Sequence, residues 1–152
     1  MEGVTGTVTL TAAAPQFADA TATVTVVQPA LQIVSLPTSV NATDANVSFV
    51  VQLGIPNSTA SGLALLQGVR VGSSVTLTVT NSNGTAAQLV TLAGGAQNRT
   101  VVVAAGQTNS PGSVATGGIA FDPLQSGTTT VRADSPGFLT TGAGIVLITI
   151  NP

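Results

Sequence analysis

Val75-Thr-Leu-Thr-Val-Thr-Asn-Ser-Asn-Gly84 is the stretch that decides the fold. Val75, Leu77 and Val79 alternate with Thr76, Thr78 and Thr80, the period of two that sends successive side chains to opposite faces of a strand. One face is thus aliphatic and inward, the other hydroxyl-bearing and outward. Asn81-Ser-Asn-Gly84 ends the run, because Asn and Gly tolerate the positive φ of tight turns. Outward from this strand the same period returns. Asn46–Leu53 sets Val47, Phe49 and Val51 on one face and Val50 on the other, and Leu31–Ser35, Ala87–Leu92 and Thr100–Ala104 are shorter runs of the same kind. Leu36–Ala45 reads as an irregular crossing with a short strand near Val40. Gly54–Gly68 reads as a loop, with Leu63–Leu66 as a helical turn or a plug of the core. In Ser113–Phe121 the Gly117-Gly118 pair predicts a bulge. Thr128–Ala133 and Gly144–Ile150 close the chain. Short strands separated by turn residues, with no sustained helical period, predict an all-β, two-sheet antiparallel sandwich of about seven or eight strands.

The end of this chain nearly repeats its beginning. Gly6-Thr-Val-Thr-Leu-Thr-Ala-Ala-Ala-Pro-Gln-Phe17 returns as Gly127-Thr-Thr-Thr-Val-Arg-Ala-Asp-Ser-Pro-Gly-Phe138, with about half of the positions identical at an offset of 121 residues. That offset is the size of a domain, not of a solenoid repeat. A second alternating run follows each phenylalanine: Ala20–Val27 before Pro29, and Gly144–Ile150 before Pro152. Residues 1–29 are therefore expected to form the C-terminal β-hairpin of a preceding repeat, or an exchanged hairpin, and residues 30–152 one complete sandwich. Phe17 is expected to pack into a domain end. An isolated hairpin is marginal in water, and its apolar face and open edges seek a partner. Thr7, Thr9, Leu10, Phe17, Thr23, Val24 and Val26 are accordingly the candidate interaction residues.

Composition excludes more than it allows. The 152 residues hold no Cys, His, Lys, Trp or Tyr, and only 5% are charged against 43% hydrophobic. Without Cys there is no disulfide or thiolate; without His, the commonest general base and zinc ligand are gone. Without Lys there is no Schiff base and no lysine-derived crosslink. Serines and threonines abound, but nothing is present to activate them, so an enzyme is not expected. Arg70, Arg99 and Arg132 lie far apart under a net charge of −2, which makes no basic stripe for nucleic acid. The longest strongly apolar run, Ile145–Ile150, is strand length and predicts no membrane span.

Three stretches carry a family resemblance: Gly68-Val-Arg-Val-Gly-Ser-Ser-Val-Thr-Leu-Thr-Val-Thr-Asn-Ser-Asn-Gly84, Val101-Val-Val-Ala-Ala-Gly-Gln107, and Gly127-Thr-Thr-Thr-Val followed by Ser135-Pro-Gly-Phe138. In this order they resemble the bacterial immunoglobulin-like repeats that occur in tandem in large surface and secreted proteins. Residues 31–152 match one repeat and residues 6–28 the tail of another. The resemblance implies an immunoglobulin-like β-sandwich acting as a structural or adhesive module, extracellular or at the bacterial cell surface, whose partners are neighbouring copies in tandem or by strand exchange. It transfers no catalytic residue and no cofactor. Two alternatives stand beside it. One is a filament subunit that polymerises head-to-tail by donating its N-terminal hairpin. The other is an adhesin domain binding carbohydrate weakly or through calcium.

Calcium has few places to go. Asp19, Asp44, Asp122 and Asp134 are isolated and match no Asp-rich calcium loop; Asp44 with Asn41 and Asn46, or Asp134 meeting Asp19, are the combinations to test. Turn and capping roles, with Asp134–Arg132 and Asp122–Arg99 as surface ion pairs, are the simpler expectation.

Overall fold

A computed structural model describes residues 5–152. Fourteen strands follow one another among the described residues. They are β1 (Gly6–Ala12), β2 (Ala20–Val26), β3 (Ala30–Val34), β4 (Ser39–Asn41), β5 (Val47–Pro56), β6 (Leu63–Leu66) and β7 (Val75–Asn81). After them come β8 (Ala87–Thr91), β9 (Gly94–Ala96), β10 (Asn98–Val103), β11 (Ile119–Pro123), β12 (Gly127–Asp134), β13 (Leu139–Thr140) and β14 (Ile145–Asn151). The only helical elements among the described residues are two short 3-10 turns, Val114–Thr116 and Gly142–Gly144.

The protein is an all-β sandwich with a separate hairpin before it. One sheet runs β10-β7-β12-β14-β4; the other runs β13-β3-β5-β11-β8-β9, with β6 also paired to β5; β1 and β2 pair only with each other. Alternation explains which side chains fill the space between the sheets. Leu77 and Val79 of β7 are fully buried while Thr76 and Thr78 are exposed. Phe49 and Val51 of β5 meet Leu31 and Ile33 of β3 and Ile119 and Phe121 of β11 in one core with Val101, Val103, Val131, Ile148 and Ile150 of the opposite sheet. Val40, alone in the short β4, is buried at 6% exposure, as the crossing strand requires.

Three local expectations need correction. The segment after Gly54 is a loop only in part: β5 continues to Pro56, residues 57–62 turn, and Leu63–Leu66 pairs back on β5 as β6. Leu65 and Leu66 lie exposed there and plug nothing, because the core is already filled from both sheets. Gly117-Gly118 makes no bulge. Gly117 closes the 3-10 turn in the left-handed region at φ 91°, and a Cβ on Gly118 would clash with the Pro111 carbonyl. The glycines thus end one turn and let two backbones approach.

Candidate functional site

The two similar stretches of sequence take the same shape. In the N-terminal hairpin Gly6 pairs with Val26 and Leu10 with Ala22; in the sandwich Gly127 pairs with Ile150 and Val131 with Val146. The registers are the same once a connection longer by three residues is allowed for. Gly6 and Gly127 share an extended backbone, at φ 159° and 153°. Each first strand runs into a tight turn headed by proline, closed by Phe17 N donating to Ala14 O and by Phe138 N donating to Ser135 O, both at 3.1 Å. Position three of the turn has positive φ in both, 68° at Gln16 and 79° at Gly137, the geometry of a type II turn.

Burial is where they differ. Leu10, Val24 and Val8 are 56%, 46% and 49% exposed, whereas their counterparts Val131 and Ile148 are fully buried and Thr129 is 2% exposed. Every side chain on this face of the hairpin is apolar: Val8, Leu10 and Ala12 on β1, and Ala22, Val24 and Val26 on β2. The other face is threonine throughout, with Thr7 opposite Thr25, Thr9 opposite Thr23 and Thr11 opposite Thr21. Full burial of a Val or Leu stabilises by about 1.5–3 kcal/mol, so the apolar face forgoes several kcal/mol while it stays wet.

Of the residues expected from sequence, Leu10, Val24 and Val26 thus share one face, and Thr7, Thr9 and Thr23 point the opposite way. Phe17 belongs to neither group. It stands 77% exposed at the hairpin tip and does not pack into a domain end. Its counterpart Phe138 is half-buried against the sandwich core, and no such core lies beside Phe17. Val8 was the residue missed. The spacing of two from Leu10, and its pairing with Val24, are the signals that mark it.

In the sandwich the corresponding place holds a polar contact. Asn81, 2% exposed at the end of β7, accepts a hydrogen bond from the Thr129 hydroxyl, and its amide donates to the carbonyls of Asn83 and Ala87. The same hydroxyl accepts from Asn83 N at 3.1 Å. The network fastens the Asn81–Gly84 turn to β12.

Most of the charged groups are engaged in turns and surface contacts. Arg132 Nε lies 2.7 Å from Asp134, whose carboxylate also accepts from Thr140 at 2.7 Å. The Arg132 hydrogen bonds, with help from Thr140, lower the Asp134 pKa against some opposing desolvation, and the same contact raises that of Arg132. Asp44 accepts from the backbone N of Asn41 at 2.7 Å and from its amide at 3.3 Å, closing a turn. The expected Asp122–Arg99 pair does not form. Asp122 accepts from Gln88 at 2.6 Å, and Arg99 donates to the carbonyls of Gly94 and Ala93 at 2.9 and 3.3 Å. Arg99 sits on the open edge strand β10, tying one sheet to the β8–β9 turn of the other and placing a charge on an edge that would otherwise invite pairing.

Shallow hollows lie on the surface, one of about 220 Å³ beside Thr78, Thr91 and Arg99 and another of about 420 Å³ beside Val102, Gln107 and Asn109. No cluster of three or more acidic, His or Cys residues occurs among the described residues, and no helix there is long and apolar enough to cross a membrane. Compared with protein-family models and with curated proteins, the sequence matches none.

Proposed function

We propose that this chain is a load-bearing, non-enzymatic module of an extracellular bacterial surface or fibrous protein, an immunoglobulin-like bead preceded by the last hairpin of another bead. The observation that carries this reading is how the chain enters and leaves the sandwich. β3 runs parallel to β13, and β14 runs parallel to β4. Leu139 N donates to Pro29 O at 2.9 Å and Thr141 N to Leu31 O at 3.2 Å at the entry. Thr149 N donates to Thr38 O and Ala42 N to Asn151 O, both at 2.9 Å, at the exit.

Tension along the chain draws β3 and β4 toward the N-terminus, and β13 and β14 toward the C-terminus. Because each pair is parallel, that tension acts along the strands. The bonds are sheared together and are not peeled one at a time. Such an arrangement suits a module that transmits pull along a fibre. The hairpin with the register and turn of β12–β14 supports the repeat part of the reading. The adhesive part is supported by the threonine-rich outer faces of β7 and of the hairpin.

Single-molecule pulling tests it. Thr149→Pro removes the donor to Thr38 O from an exposed position of β14. It should lower the unfolding force more than it lowers equilibrium stability. An unchanged force would remove the ladder from the mechanism.

The exposed apolar face of β1–β2 favours one other reading, a filament subunit that donates its hairpin to a neighbouring copy. Light scattering across a wide concentration range separates the two: a monomer throughout supports the bead, and growth of oligomers with concentration supports exchange.

A further inference from the structure

Resting on the bead reading, we infer that the apolar face of β1–β2 is shaped for a sandwich of this design in which an aliphatic side chain stands where β7 carries Asn81, and that the hairpin is therefore rejected by other copies of this chain. The matched hairpins supply the geometry. Placed where β12–β14 lies, β1 would put Leu10 at the position of Val131, one methylene larger, and Ala12 at that of Ala133, the same residue. Ala22, Val24 and Val26 would replace Val146, Ile148 and Ile150 with smaller apolar side chains, so the apolar character of the face is kept.

One position differs in polarity. Val8 would stand where Thr129 donates to the buried Asn81 side chain and accepts from Asn83 N. Valine has the shape of threonine and none of its hydrogen bonding. Asn81, at 2% exposure, would lose the hydroxyl donor, and its side-chain oxygen and Asn83 N would keep only their long mutual contact at 3.4 Å. A buried polar group left unpaired costs more than a made hydrogen bond contributes. The mismatch is one-sided, since an aliphatic residue at the Asn81 place would welcome Val8. The face thus selects its partner at a single polar contact. Adjacent beads of like fold are prone to exchange strands as they fold, and such a contact keeps each hairpin with its own bead.

The test is a graft within the intact chain. Thr129→Val, Val131→Leu and Arg132→Thr together give β12 the sequence of β1 from Gly6 to Ala12. The graft should lose roughly tenfold or more in the folding equilibrium constant, read from denaturant titration. The pair Val131→Leu and Arg132→Thr, which keeps Thr129, reports the cost of the larger leucine by itself, the graft should be roughly tenfold less stable than that pair, and Thr129→Ser should retain most of what Thr129→Val loses. Asn81→Leu should then be less damaging in the graft than in the wild-type chain, because the two apolar residues now suit one another. A graft as stable as that pair, or an Asn81→Leu loss of equal size in both backgrounds, overturns the inference. Either result leaves the bead reading intact, since the pulling response does not pass through Thr129; a weak pulling response would strike the bead reading alone.

Discussion

Phe49 and Phe121 are the largest side chains sealed in the core, at 1% and 0% exposure, and no disulfide or crosslink shares their burden. Phe49→Ala should therefore destabilise by about 3–5 kcal/mol, a large part of a typical 5–15 kcal/mol stability, and denaturant titration will show it. Asp134 contributes to the acidic limb of the pH profile. Its hydrogen bonds from Arg132 and Thr140 hold the folded carboxyl below its ordinary value of 3.8. The unfolded chain then binds the proton first as pH falls, so the stability this pair adds is full above about pH 4 and is lost as pH drops through the lowered folded value. Asp134→Asn should flatten that limb. The loss will be small, about 0–1 kcal/mol, because both side chains are more than a third exposed. With no His in the chain, stability should vary little between pH 5 and 7.

Among the elements, the strands that alternate cleanly were legible from the residues alone. β7 shows its aliphatic and threonine faces in Val75–Thr80, and Val47-Ser-Phe-Val-Val does the same for β5. The Asn81–Gly84 turn was legible too, but the inward aim of Asn81 was not, since turn chemistry explains an asparagine without a buried partner. β6 was hidden because its pairing is set by β5, not by its own pattern: Leu63-Ala-Leu-Leu carries no alternation. The fate of Phe17 was hidden for a related reason. A motif copied from Phe138 fixes a turn, but a core beside it must come from strands elsewhere. β13 and the parallel ladders at entry and exit are similarly products of tertiary placement, with only two and three paired residues each. Trypsin offers a check on the loops. Arg70 is exposed in the irregular stretch before β7, while Arg99 and Arg132 lie within strands, so the first cleavage should follow Arg70. Earlier cleavage at Arg99 would mean that the β10 edge opens more readily than its ties to the β8–β9 turn imply.

At the scale of the whole molecule, two bodies of unequal stability are expected on one chain. Residues 30–151 share a core fed by both sheets, whereas β1 and β2 hold only each other. Hydrogen exchange should divide the backbone accordingly, with strong protection through β5, β7, β11 and β12 and little in the hairpin. Pulling the unmodified protein by its two ends tests the load-bearing role most directly. The hairpin should give way at low force, followed by a single event at markedly higher force that releases roughly 400 Å of chain, the extended length of the sandwich. Release of that length in several small steps, at forces no higher than the hairpin's, would contradict the role.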